Sequence, residues 1–100
     1  MSGLNARSGA EGFVRARVVI SGVVQGVWFR DSCRHEAEAR GLAGWVRNNR
    51  DGTVEAVLEG REQDVEAVVR WCHEGPPRAV VTGVVVQRES AWGEEGFRVR

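Results

Sequence analysis

Across residues 13–100 the apolar positions change period from two to about four and back, twice over, and that order leaves few folds open. Val14, Ala16, Val18 and Ile20 alternate with Arg15, Arg17, Val19 and Ser21, as a strand with one buried face requires. Residues 22–27 break the alternation with two glycines. From about 29 to 40, Phe29, Cys33 and Ala37 recur every fourth residue among charged ones, which predicts an amphipathic helix. Gly41 closes it, as glycine commonly does just past a helix end. Residues 42–49 and 53–60 read as strands, and Asn49-Arg50-Asp51-Gly52 between them has the composition of a hairpin loop. A second helix is predicted over about 62–74, where Val65, Val68, Val69 and Cys72 fall at i, i+3, i+4 and i+7. Glu62 and Asp64 sit in its first turn, where the helix dipole favours acids, and Gly75-Pro76-Pro77 stops it. Residues 79–88 form a valine-rich strand, and 97–100 a short final one with Phe97 and Val99 on one face.

The resulting order is β-α-β-β-α-β plus a short terminal strand. Two helices cannot cover both faces of such a sheet, so they must share one face and leave the other to water. The predicted fold is α+β: a two-layer, ferredoxin-like sandwich with an antiparallel sheet. Arg15, Arg17, Arg47, Thr53 and Glu55 would lie on the solvated face and form cross-strand ion pairs. A length of 100 residues suits one domain, placed at 13–100 behind a flexible leader at 1–12 that is rich in small residues and has no periodicity.

Composition narrows the class further. Fourteen basic residues balance fourteen acidic ones, which argues against long-range attraction to nucleic acid or an anionic membrane. The 42% of hydrophobic residues are spread out, without the ~20-residue apolar run of a membrane span. The first twelve residues lack a secretory apolar region, and two cysteines then read as reduced thiols of a cytoplasmic protein. All fourteen basic residues are arginine, a bias of genome composition from which no function is drawn.

Two segments carry chemistry. Gly22-Val23-Val24-Gln25-Gly26-Val27-Trp28-Phe29-Arg30 runs from a strand end through a glycine loop into a helix N-terminus. Such a loop can turn successive N–H groups toward one point, and the helix start adds free amides and a positive dipole end. Arg30 can bring a planar fork of donors to the same anion. The plainer alternative is a tight turn followed by a surface arginine. Walker A and dinucleotide-binding glycine patterns are both missing from it. In the second segment, 44–60, parity places Asn48 beside Val46 on the inward face. An unsatisfied amide there would cost about 1–3 kcal/mol. Asn48 either serves a site or bonds its own hairpin loop, a role that Asn49 fits better.

Together the two segments resemble the acylphosphatase family. The first resembles its G-x-V-Q-G-V-x-F-R signature, and the second its G-W-V-[KR]-N-x-x-x-G-x-V signature, each at every specified position. Gly75-Pro76-Pro77-Arg78-Ala79 and Phe97-Arg98-Val99 look like later landmarks, so the resemblance spans about 14–100. It implies the same βαββαβ fold and a metal- and cofactor-independent hydrolysis of small acyl phosphates to a carboxylate and inorganic phosphate. It also implies that Arg30 binds the phosphate within a backbone cradle of Val23, Val24, Gln25, Gly26, Val27, Trp28 and Phe29. Asn48 would orient the attacking water, and Trp28, at a position the family leaves free, would wall the site. A small enzyme of this family is expected to be a monomer. A non-catalytic module of the same family, of the kind fused to hydrogenase-maturation proteins, is the alternative.

Other residues are set aside. Cys33 and His35 diverge on one helix, as do Cys72 and His73 on the other, so they read as buried thiols and surface histidines, with a disulfide left open. Asp31 and Ser32 would satisfy the helix start. Trp71 and Trp92 read as packing or rim residues. RNA binding through the sheet is disfavoured because residues 53–60 carry no aromatic.

Overall fold

The computed structural model describes residues 12–100. The leader expected at 1–12 therefore lies, save for Gly12, outside the described residues. The elements are β1 (Phe13–Val23), α1 (Phe29–Ala39), β2 (Ala43–Asn48), β3 (Val54–Arg61), α2 (Glu62–Cys72), β4 (Val80–Glu89) and β5 (Phe97–Val99). One five-stranded sheet forms in the order β4-β1-β3-β2-β5. Each helix connects two parallel strands across an antiparallel one: α1 links β1 to β2 across β3, and α2 links β3 to β4 across β1. This is the split βαβ arrangement that the periodicities predict.

Both helices lie on one face because only that face is continuously apolar. Ala16, Val18 and Ile20 of β1, Val46 of β2, and Val54, Ala56 and Leu58 of β3 are fully buried there. They meet Phe29, Cys33 and Ala37 of α1 and Val65, Val68 and Cys72 of α2 in one core. Gly41, at φ 71°, ends α1 as expected, and its N–H reaches the Glu38 carbonyl at 3.0 Å. The Phe29 and Trp71 rings pack at 5.2 Å, so Trp71 is a packing residue. No helix among the described residues is long and apolar enough to cross a membrane.

Two expectations change in detail. The four long strands are antiparallel, but β5 pairs parallel to β2, making the sheet mixed. The reason is the route of residues 90–96: β4 and β5 hold opposite edges, so the chain crosses the outer face between them. That crossing also alters the outer face, which is less solvated than its charges suggest. Arg15 is only 3% exposed and Glu59 only 5%. Glu59 accepts hydrogen bonds from the N–H groups of Trp92 (3.0 Å), Gly93 (2.9 Å) and Glu94 (2.7 Å). Arg15 binds Glu59, Glu89 and Glu94, and its guanidinium lies 4.7 Å from the centre of the Trp92 ring. The predicted cross-strand ion pairs form, with Arg17 bound to Glu55 and Glu89, and Arg47 to Glu55. Buried charges persist there because nearly all their donors and acceptors are matched.

Candidate active site

The site begins where β1 ends. A register shift between Ser21 and Gly22 turns the strand out of the sheet. Gly22 has φ 122°, and a Cβ there would lie 2.1 Å from the Val80 carbonyl oxygen, so only glycine fits. Gly26, at φ 76°, makes the second bend, and Trp28, at φ 68°, is the left-handed residue at which α1 starts. No side chain caps this helix. Asp31, expected to do so, instead accepts from Arg34 at 2.7 Å, and the Ser32 N–H bonds the Trp28 carbonyl as an ordinary first helical bond. Among the described residues, the N–H groups of 24–31 donate to no other group. A helix N-terminus left open in this way, with its dipole, suits an anion.

The second part comes from the end of β2. Asn48, its last residue, stands opposite Val54. The hairpin that follows satisfies itself through other residues. The Asn49 N–H donates to the Thr53 carbonyl at 2.8 Å, and its side-chain amide donates to Thr53 Oγ1 at 3.0 Å. Asp51 accepts from the Thr53 N–H and hydroxyl, and these bonds hold its carboxyl below the usual range. Asn49 is thus the turn residue, and the Asn48 amide makes no side-chain hydrogen bond among the described residues.

A cleft of about 310 Å³ brings the two parts together, lined by Val24, Gly26, Trp28, Phe29, Arg30, Asp31, Asn48 and Val99. Arg30 and Asn48, 18 positions apart in sequence, share it. The Arg30 guanidinium donates from Nη1 to the Arg100 carbonyl at 3.2 Å, and the Arg100 N–H bonds Val46 at 2.8 Å. Three residues of the predicted cradle do not line the cleft. Val23 is still paired with Val80, Val27 is in the core, and the Gln25 side chain turns to the hairpin. There its Nε2 donates to the carbonyls of Asn49 (2.8 Å) and Thr53 (2.9 Å). That clamp, and the presence of Asp31 and Val99 at the cleft, escaped the sequence reading. Periodicity could have found Val99, which shares a face with Phe97; Gln25 gave no such signal.

A larger hollow of about 860 Å³ lies on the outer face beside Trp92, but the charged groups beneath it, Arg15 and Glu59, are already bonded to each other and to the main chain. Among the described residues, no three His, Cys, Asp or Glu side chains come together as metal ligands. Cys33 and Cys72 are buried and unlinked, and the hydrogen bond that the Cys72 thiol donates to Cys33, together with burial, pushes that thiol well up.

Residues 16–99 match the family model described as Acylphosphatase. An acylphosphatase of Rubrobacter xylanophilus is 60% identical over 87 residues, which are 86% of this chain and 79% of that protein. The chain belongs to the acylphosphatase family. Acylphosphatase hydrolase function and the ferredoxin-like sandwich come with that membership. The solved acylphosphatase of Coxiella burnetii superposes with a TM-score of 0.88 at 38% identity, covering 92% of this chain and 97% of its own. Full-length HypF, solved in a phosphate- and nucleotide-bound form, superposes at 0.82 with 30% identity, over 88% of this chain but only 12% of HypF.

Proposed function

We propose that this cleft hydrolyses the carboxyl–phosphate bond of acyl phosphates, with Arg30 and the amides of residues 24–29 holding the phosphoryl group and Asn48 holding the attacking water. The observation that carries this reading is the shared cleft, in which a guanidinium and an uncommitted carboxamide flank an uncapped helix start.

The chemistry asks for little more. The leaving group is a carboxylate, stable without protonation, so no general acid is needed. The transition state is loose, with its charge on the equatorial oxygens of the phosphoryl group. Fixed N–H donors and one guanidinium stabilise that charge. The Asn48 carboxamide orients a water for in-line attack, and orientation is the remaining demand. The water's proton passes to a phosphoryl oxygen of the substrate, giving inorganic phosphate and the carboxylate. No step calls on a metal or a cofactor.

The catalytic unit in this reading is residues 13–100, working as a monomer, with the cleft built from the β1–α1 loop, α1, β2 and β5. Two free buried thiols fit a reducing, cytoplasmic setting. The test is phosphate release from acetyl and benzoyl phosphate in the presence of EDTA, by wild type, Arg30→Ala and Asn48→Ala. Wild type should turn over and both variants should not. Wild-type rates in either variant would sink the assignment of roles.

A further inference from the structure

We propose that the Trp28 indole is the wall of an acyl-group subsite and biases the enzyme toward aromatic over small aliphatic acyl phosphates, an inference that rests on the phosphoryl site read above.

Trp28 is anomalous twice. Among the described residues it is the one non-glycine at positive φ, while eight glycines hold the other such positions. A side chain with a Cβ meets steric resistance in that region, and bulky ones most. Strained residues of this kind gather at ligand sites, where the surroundings hold them in place. Trp28 is also 74% exposed. The other three tryptophans are engaged: Trp71 packs on Phe29, Trp92 covers Arg15, and Trp45 lies beneath Arg17, Arg47 and Arg100. Trp28 alone has neither an aromatic nor a cationic partner among the described residues.

The cleft lining is of two chemical kinds. Arg30, Asp31 and Asn48 are polar, while Val24, Trp28, Phe29 and Val99 are apolar. An acyl phosphate is divided in the same way. With its phosphoryl group on the amides and Arg30, its acyl group extends toward the apolar residues. An aromatic acyl group can stack on the indole, whereas a methyl group covers little of it.

The experiment compares kcat/KM for benzoyl and acetyl phosphate in wild type, Trp28→Asn and Trp28→Phe. Asparagine tolerates the left-handed backbone without a ring, and phenylalanine keeps a ring. The benzoyl-to-acetyl ratio should fall about tenfold in Trp28→Asn, the size expected for one aromatic pair. Trp28→Phe should keep most of the ratio. A ratio within about twofold of wild type in Trp28→Asn would overturn the subsite. Should that variant lose turnover, the relative affinities of benzoylphosphonate and acetylphosphonate, measured by calorimetry, decide on the same criterion. Arg30→Ala, run alongside, separates the two readings. If it hydrolyses acetyl phosphate like wild type, the phosphoryl site and the subsite both fall. If it is inactive while Trp28→Asn leaves the ratio unmoved, only the subsite falls.

Discussion

The side-chain amide of Gln25 spans from the glycine loop to the β2–β3 hairpin and donates to the main-chain carbonyl of Asn49 at 2.8 Å. A second bond, to Thr53 at 2.9 Å, makes the link two-pronged. Gln25 therefore ties the loop that precedes Arg30 to the turn that follows Asn48. Replacing it with methionine keeps the volume but removes two hydrogen bonds at about 0.5–1.5 kcal/mol each, a loss of about 1–3 kcal/mol in urea unfolding, although the Thr53 and Asn49 carbonyls keep the N–H groups of Asn49 and Gly52. Because the clamp fixes the two parts of the site against each other, kcat should fall more than KM rises. Gln25→Glu should be worse than Gln25→Met at neutral pH, since it sets a carboxylate against two carbonyl oxygens. Equal kinetics in all three proteins would show that the clamp has no part in positioning.

Arg30 and Asn48 should fail in different ways. Arg30→Ala removes a charged donor from the developing phosphoryl charge, and loss of one such donor costs about 3 kcal/mol or more. Its kcat/KM should drop by at least about a hundredfold, and inhibition by inorganic phosphate should weaken with it. Asn48→Ala should remove most of kcat while leaving phosphate inhibition near wild type. Steady-state kinetics with phosphate as competitor checks both. Equal loss of phosphate affinity in the two variants would contradict the division of roles.

The outer face sets an acid limit on stability. Burial opposes ionisation of Glu59, but the N–H groups of Trp92 and Glu94, the Arg15 guanidinium and the Gly93 N–H outweigh it and hold its carboxyl below the usual range. Glu55 is also lowered, where Arg17 and Arg47 outweigh burial, and Glu89 is lowered by its bonds to Arg17 and Arg15. For acids whose folded values are depressed, the stabilisation is complete above the unfolded value of about 4.3 and is lost as pH falls through the folded values. Stability measured by urea unfolding should therefore be level near neutrality and decline below about pH 4.3. Glu59→Gln should lower the plateau by about 2 kcal/mol, the scale of a hydrogen bond to a charged group, and flatten the acid limb. An acid limb unchanged in that variant would remove Glu59 from the account.

Gly22 is where the sheet releases the loop. Gly22→Ala would force a methyl group to within 2.1 Å of the Val80 carbonyl at a φ of 122°. The expected loss is at least about 2 kcal/mol, from a strained backbone and a displaced β4 together. Gly26 also has positive φ, but a Cβ there meets nothing within 4 Å. Gly26→Ala should accordingly be the milder variant in thermal unfolding.

What was readable in the chain follows from how local each signal is. Val14 to Ile20 and Val65 to Cys72 announce their elements because a buried face imposes a period on neighbouring residues. Asn48 was assignable to the inward face by parity with Val46, a rule that needs only one strand. The roles of Arg30 and Asn48 came from resemblance to a family, since spacing alone left a surface arginine and a turn asparagine open. What escaped the reading depends on segments far apart in sequence. Glu59 looks like a solvated residue until residues 92–94 are laid over it, and the parallel pairing of β5 depends on which edge the chain reaches after that crossing. Asp31 was expected to cap α1, but Arg34 one turn on competes for it. Gln25 belongs to a recognisable motif, yet its partners are two carbonyls, which carry no side-chain identity to read.

The three-residue strand β5 ties the mouth of the cleft to the rigidity of the sheet. Val99 forms part of the rim, and the carbonyl one residue further on receives Arg30. Edge pairing this brief lies at the low end of local stability, where opening is a small fraction of global unfolding. The guanidinium is thus parked by one hydrogen bond beyond a three-residue edge strand, so an arriving dianion has only that tether to displace, and the rest of the sandwich need not move.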